Sequence, residues 1–153
     1  MKVIPVRRDV KINLDESRIN NWHEAGEHVT HFFNALSVLF PAGERLFMDS
    51  VRAYKDQVTD PELKQAITAF IGQEALHSRE HEEYNEMMDR SGVPALKLDK
   101  MLWKLLGGFQ KGLGKKLSLA GTIALEHYTA IMADAVFKDP KVTGEKSDEG
   151  FKQ

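Results

Sequence analysis

A chain of 153 residues suits one domain with one core, and 42% hydrophobic and 29% charged residues mark an ordinary globular protein. A net charge of -2 offers no basic field for nucleic acid or an anionic membrane surface. The absence of cysteine excludes disulfides, thiolate metal sites and a cysteine nucleophile, so any metal would be held by oxygen and nitrogen.

From the N-terminus, residues 2–15 alternate apolar and charged side chains around Pro5 and are expected to form an extended arm. Residues 1–9 lack the apolar core of a signal sequence, and no run approaches the ~20 apolar residues of a membrane span. A cytoplasmic location is therefore expected. Trp22 and His23 fall in a polar loop or short helix, with His23, His28 and His31 expected in solvent. A first helix is signalled near Val29 by Phe32, Phe33, Leu36 and Phe40. Pro41 should kink or restart it, since proline costs about 3 kcal/mol inside a helix. The stripe then resumes as Glu44, Phe47, Val51, Tyr54 and Val58.

Asp60-Pro61-Glu62 predicts a helix start, with an aspartate N-cap, proline at the first helical position and an acid in the first turn. The helix is expected to reach Arg90 and to stop at Ser91-Gly92-Val93-Pro94. Its 3–4 rhythm places Leu63, Ile67, Phe70, Glu74, His77, His81, Tyr84 and Met88 on one face. Residues 95–106 are moderately helical, and Gly107, Gly108, Gly112 and Gly114 predict a connector. A last helix is expected from about Leu117 to Phe137, with Leu119, Ile123, Glu126, Ala130, Ala133 and Phe137 in register. Asp139-Pro140 ends it. The class is all-α: one helical domain over 1–140, then a polar tail over 141–153 expected to be disordered.

Three helices thus place a glutamate where leucine would be expected: Glu44, Glu74 and Glu126. A carboxylate inside an apolar stripe is costly unless paired or bound to metal. His77 follows Glu74 by three residues, and Glu-x-x-His with single glutamates from neighbouring helices is the grammar of two-metal carboxylate sites in helical bundles. His81, one turn further along, is a ligand, an outer donor or a proton relay, or else a satisfied histidine at the core edge. The competing reading pairs these glutamates with Arg45, Arg52 or Arg79, or leaves them exposed. A serine nucleophile is excluded: Gly-x-Ser-x-Gly is absent, and Ser37, Ser78 and Ser118 have no evident base. The candidate metal residues are therefore Glu44, Glu74, His77, Glu126 and His81. The ion would be divalent, with iron first and manganese or zinc as alternatives.

Phe40-Pro41-Ala42-Gly43-Glu44-Arg45, Gln73-Glu74-Ala75-Leu76-His77 and Ala124-Leu125-Glu126-His127-Tyr128-Thr129-Ala130 resemble segments of the ferritin-like proteins catalogued as predicted metal-dependent hydrolases. The likeness extends from about Val6 to Pro140, through residues 33–37, Val51-Arg52, His81 and Tyr84-Asn85. It implies a ferritin-like bundle in which Glu44, Glu74, His77 and Glu126 bind metal, with His81 as a further site residue. In that family a later helix brings a second Glu-x-x-His, whereas residues 141–153 hold no histidine and no apolar stripe. The expectation is thus the N-terminal part of a family member, a ferritin-like bundle lacking its last ligand helix. Its implied function is metal-dependent hydrolysis of a small-molecule substrate. One alternative is a di-iron oxidase or oxygenase on the same ligands. Another is a non-enzymatic helical protein with a vestigial site that pairs with another chain. A homo-oligomer would cover the open face of the bundle.

Overall fold

The computed structural model describes Asp9 and residues 14–152, and the arm expected over 2–15 lies almost entirely outside them. Helices α1 (Glu27–Arg52), α2 (Pro61–Arg90), α3 (Ala95–Lys138) and α4 (Pro140–Thr143) follow one another, with short 3-10 turns at Glu16–Arg18 and Lys55–Gln57. No strand occurs among the described residues, so the fold is an all-α bundle. α1 is its centre, packing along both α2 and α3, which meet each other only sparsely. Side chains pair Asn34 with Tyr84 and Ser37 with His81, so α1 and α2 run antiparallel.

The start of α2 forms as its sequence dictates. Asp60 accepts from the Glu62 and Leu63 amides at 2.7 and 3.2 Å, and Gly92 takes φ 97° beyond the helix. The interruption expected at Pro41 does not occur, and α1 continues through it. The one expected among the glycines of α3 is confined to Gly114 (φ 74°, ψ 170°), where two helices meet at a kink, while Gly107, Gly108 and Gly112 stay helical. Proline at 41 cannot bond the carbonyl of Ser37 four residues back. Asn85 Nδ2 of α2 takes that carbonyl instead, at 3.3 Å, so the missing helical bond is replaced from outside.

Up to Pro41 the buried face of α1 lies about one residue round from the predicted aromatic stripe, and beyond it Glu44 and Phe47 are buried as predicted. The face comprises Thr30, Asn34, Ser37, Val38, Pro41, Ala42, Glu44, Phe47, Met48 and Ser50, while Phe32 is 61% exposed. These polar residues tolerate burial because neighbours satisfy them. Asn34 accepts from Trp22 Nε1 and the Tyr84 hydroxyl and donates to the Ile19 carbonyl. On α3, Ile123 and Phe137 are likewise exposed, because α2 does not close over them.

Residues 141–152, expected as a polar tail, are among the described residues. They fold back on the segment before α1, where the ring of Phe151 stacks on Trp22 with centroids 5.6 Å apart. His23 is buried at 3% exposure, not solvated. Its Nδ1 accepts from the Ala25 amide, and its Nε2 donates to the Val142 carbonyl at 2.9 Å. The Glu24 amide donates to Ser147 Oγ, and the Asp148 amide donates to the Trp22 carbonyl. Gly144 sits at φ 76°, where a Cβ would overlap Ser147 Oγ and press on His23. A single aromatic and a set of backbone donors suffice here, which a count of apolar residues does not reveal.

Candidate metal centre

Glu44 is the centre of the candidate site. It is 2% exposed on the buried face of α1, and neither of its carboxylate oxygens has a hydrogen-bond donor. His77 Nδ1 approaches Oε1 to 2.8 Å, but without the alignment of a hydrogen bond. His81 lies one turn beyond His77 on α2, with ring centroids 4.8 Å apart. Glu44, His77 and His81 each bring one ligand atom, and these three atoms lie within 4.8 Å of one another. Donor atoms sharing one ion at roughly 2.0–2.2 Å from it lie within such a span.

Glu74 and Glu126 stand outside this tight set, yet their charges reach it. Burial, then Glu126 and then Glu44, push the Glu74 carboxyl up to about 7. Burial and Glu44 likewise raise Glu126. Contact with the Glu44 carboxylate raises His77, whereas burial, with His77 adding, drives His81 down to about 3. Converging carboxylates thus hold protons more tightly than isolated ones, the electrostatic signature of a place where positive charge is wanted.

The arginines are occupied elsewhere. Arg45 grips Asp99 at 2.6 and 2.8 Å and reaches Glu82 while lying over the Trp103 ring. Arg52 pairs with Asp49, and Arg79 with Asp9 and Glu80. Among the described residues, no arginine pair to Glu44, Glu74 or Glu126 is formed, and the structural ion-pair reading of the three glutamates loses its support.

Three site residues escape the sequence reading. Phe40 stacks on His81 with centroids 4.5 Å apart and lies tilted beside His77, with centroids 6.1 Å apart. Ser37 Oγ lies 2.9 Å from His81 Nδ1 and 3.2 Å from Asn85 Oδ1. The signal was present in the spacing. Ser37 and Phe40 precede Glu44 by seven and four residues, and Asn85 follows His81 by four.

The class defined here is an all-α protein whose central helix and its neighbour bring a buried carboxylate and two imidazoles to one place, a donor set for a divalent ion. The chain belongs to the family described as predicted metal-dependent hydrolase, whose profile matches residues 6–153. Comparison with curated proteins and with solved structures gives no significant match. No helix among the described residues is long and apolar enough to cross a membrane.

Proposed function

We propose that this protein binds a divalent cation through Glu44, His77 and His81, within a ferritin-like arrangement of α1, α2 and α3, and hydrolyses a small-molecule substrate there. The observation that carries the reading is the Glu44 carboxylate, buried with both oxygens unsatisfied beside two imidazoles. A buried carboxylate with no aligned donor, and only the His77 imidazole at 2.8 Å as a candidate counter-charge, is disfavoured. A divalent ion supplies that charge and, when bound, acts as a Lewis acid that lowers the pKa of a coordinated water. Glu74 supplies a carboxyl beside this set to accept and return a proton; in the metal-free protein, burial, Glu126 and Glu44 raise it to about 7. Glu126 adds negative charge to the same field and serves as a further ligand if the site takes a second ion.

Protein isolated without chelator should carry metal, and Glu44→Ala should lose it. Ester or amide turnover with bound zinc or manganese supports hydrolysis. Iron with an oxygen-dependent near-ultraviolet band and no hydrolysis moves the same ligands to oxygen chemistry. Absence of metal uptake in both proteins leaves a helical protein without a working site.

The face of α3 away from α1 fits a second copy of the chain. Leu105, Phe109, Leu117, Tyr128, Ile131 and Phe137 are 54–65% exposed, and residues 117–137 carry only Glu126, His127 and Asp134 as ionisable groups besides Tyr128. A helix apolar around most of its circumference belongs in a buried setting. At roughly 100 Å² of exposed surface each, the six exposed large apolar residues beyond the Gly114 kink, Leu117 to Phe137, approach the ~800 Å² per partner of a stable interface. Sedimentation equilibrium should show a dimer that Ile131→Glu weakens about tenfold or more. A monomer at all concentrations would refute the pairing.

A further inference from the structure

Pro41 has a consequence that reaches the candidate metal centre through three hydrogen bonds. The Ser37 carbonyl, which Pro41 leaves without its helical donor, can only accept. The group of Asn85 facing it at 3.3 Å is therefore the amide nitrogen, and this fixes which way the Asn85 side chain points. Asn85 Oδ1 must then face Ser37 Oγ, at 3.2 Å. Asn85 is 1% exposed, so an unsatisfied Oδ1 would cost about 1–3 kcal/mol. The single hydroxyl proton of Ser37 is accordingly donated to Asn85, leaving only lone pairs on Oγ. His81 Nδ1, 2.9 Å from that oxygen, must be the donor of their contact.

We infer that Pro41, Asn85 and Ser37 form a positioning relay that holds neutral His81 as the Nδ1–H tautomer and leaves Nε2 as its free donor atom for the ion. Neutral imidazole has one protonated nitrogen, so fixing Nδ1–H leaves the Nε2 lone pair available. Phe40, stacked on the same ring, restricts its rotation. A helix break in the sequence thus becomes a way of aiming a ligand. Asn85 is recruited by the carbonyl that proline orphans, and its orientation is passed on through one hydroxyl. The relay gives this chain an outer shell of the kind that fixes tautomer and ring direction at metal sites. It rests on the metal reading only for its purpose, since the tautomer is a property of the metal-free protein.

The decisive experiment is a long-range ¹⁵N–¹H correlation spectrum of the metal-free protein, recorded at neutral pH, with the His81 signals assigned by His81→Gln. The expected result is a protonated Nδ1 and a bare Nε2 on His81. Ser37→Ala should release the ring into a mixture of tautomers, while Ser37→Thr, which keeps the hydroxyl, should restore the single form. Zinc titration of the same variants should show affinity falling about 10–100-fold in Ser37→Ala and recovering in Ser37→Thr. An Nε2–H tautomer in the unmodified protein, or an unchanged tautomer in Ser37→Ala, would overturn the relay. Absence of zinc binding with the expected tautomer would overturn the metal reading and leave the relay standing.

Discussion

Glu44→Leu should abolish the thermal stabilisation of this protein by metal while leaving the metal-free bundle as stable as before or more so. The expectation follows from the environment of Glu44, buried without a donor to either oxygen. Replacing buried charges by apolar side chains of similar volume is often neutral or stabilising by about 1–4 kcal/mol. Metal binding to the folded state alone adds about 4 kcal/mol at a thousand-fold excess over Kd. For a domain of this size that corresponds to a rise in melting temperature of roughly 10 °C. Calorimetry with and without zinc should therefore show a large rise in the parent and none in the variant. A metal-free variant markedly less stable than the parent would show instead that Glu44 and His77 form a satisfied structural pair.

The second large effect is a pH dependence that Glu74→Gln should remove. The Glu74 carboxyl titrates at about 7 in the folded metal-free chain against an ordinary 4.5. Each tenfold gain in proton affinity on folding is worth about 1.4 kcal/mol. A raised carboxyl stabilises the fold fully below the unfolded pKa and loses that contribution as pH rises through the folded one. Glu74 should thus cost the metal-free protein about 2–3 kcal/mol between about pH 5 and pH 8. His81 acts in the opposite direction. Held down to about 3 against 6.5, it supports the fold above 6.5 and progressively less as pH falls. Glu126 and His77, both raised, add to the Glu74 trend, so the Glu74 contribution is read from the difference between parent and variant. In Glu74→Gln the opposing contribution is gone, so denaturant unfolding should show the variant gaining about 2–3 kcal/mol over the parent on going from about pH 5 to pH 8. An equal difference between the two proteins at both pH values would mean that Glu74 is not held near neutrality.

Much of this architecture was legible from periodicity. Asp60-Pro61 at the start of α2, Gly92 at its end and the out-of-place glutamates are local or one-helix signals, and a single sequence carries them. What was not legible depends on contacts between helices. Pro41 looked like a break because the rule for proline is intrahelical, whereas the compensating Asn85 lies 44 residues away on α2. The glycines of α3 looked like a connector because each weakens a helix, yet only Gly114 leaves it. The site shows the same division. Helical spacing put Glu44, Glu74, His77, His81 and Glu126 forward, but spacing on one helix cannot say which donors meet across helices. Glu44, His77 and His81 form the close set, and Glu74 and Glu126 act on it through their charge.

The clasp between the two ends of the described chain also bears on the order of folding events. The bonds from His23 to Val142 and from Glu24 to Ser147 close loops of 119 and 123 residues. Loop closure on that scale costs about 4 kcal/mol in chain entropy, whereas helical turns and the α1–α2 hairpin form from shorter-range contacts. The clasp is therefore a late event in folding and an early one in unfolding. Trp22, which it covers with Phe151, also donates to Asn34 of α1, one turn before Ser37. Opening of this clasp thus removes a support from the turn of α1 that leads to Ser37, and links exchange of residues 141–152 to the rigidity of the α1 face that carries Ser37 and Glu44.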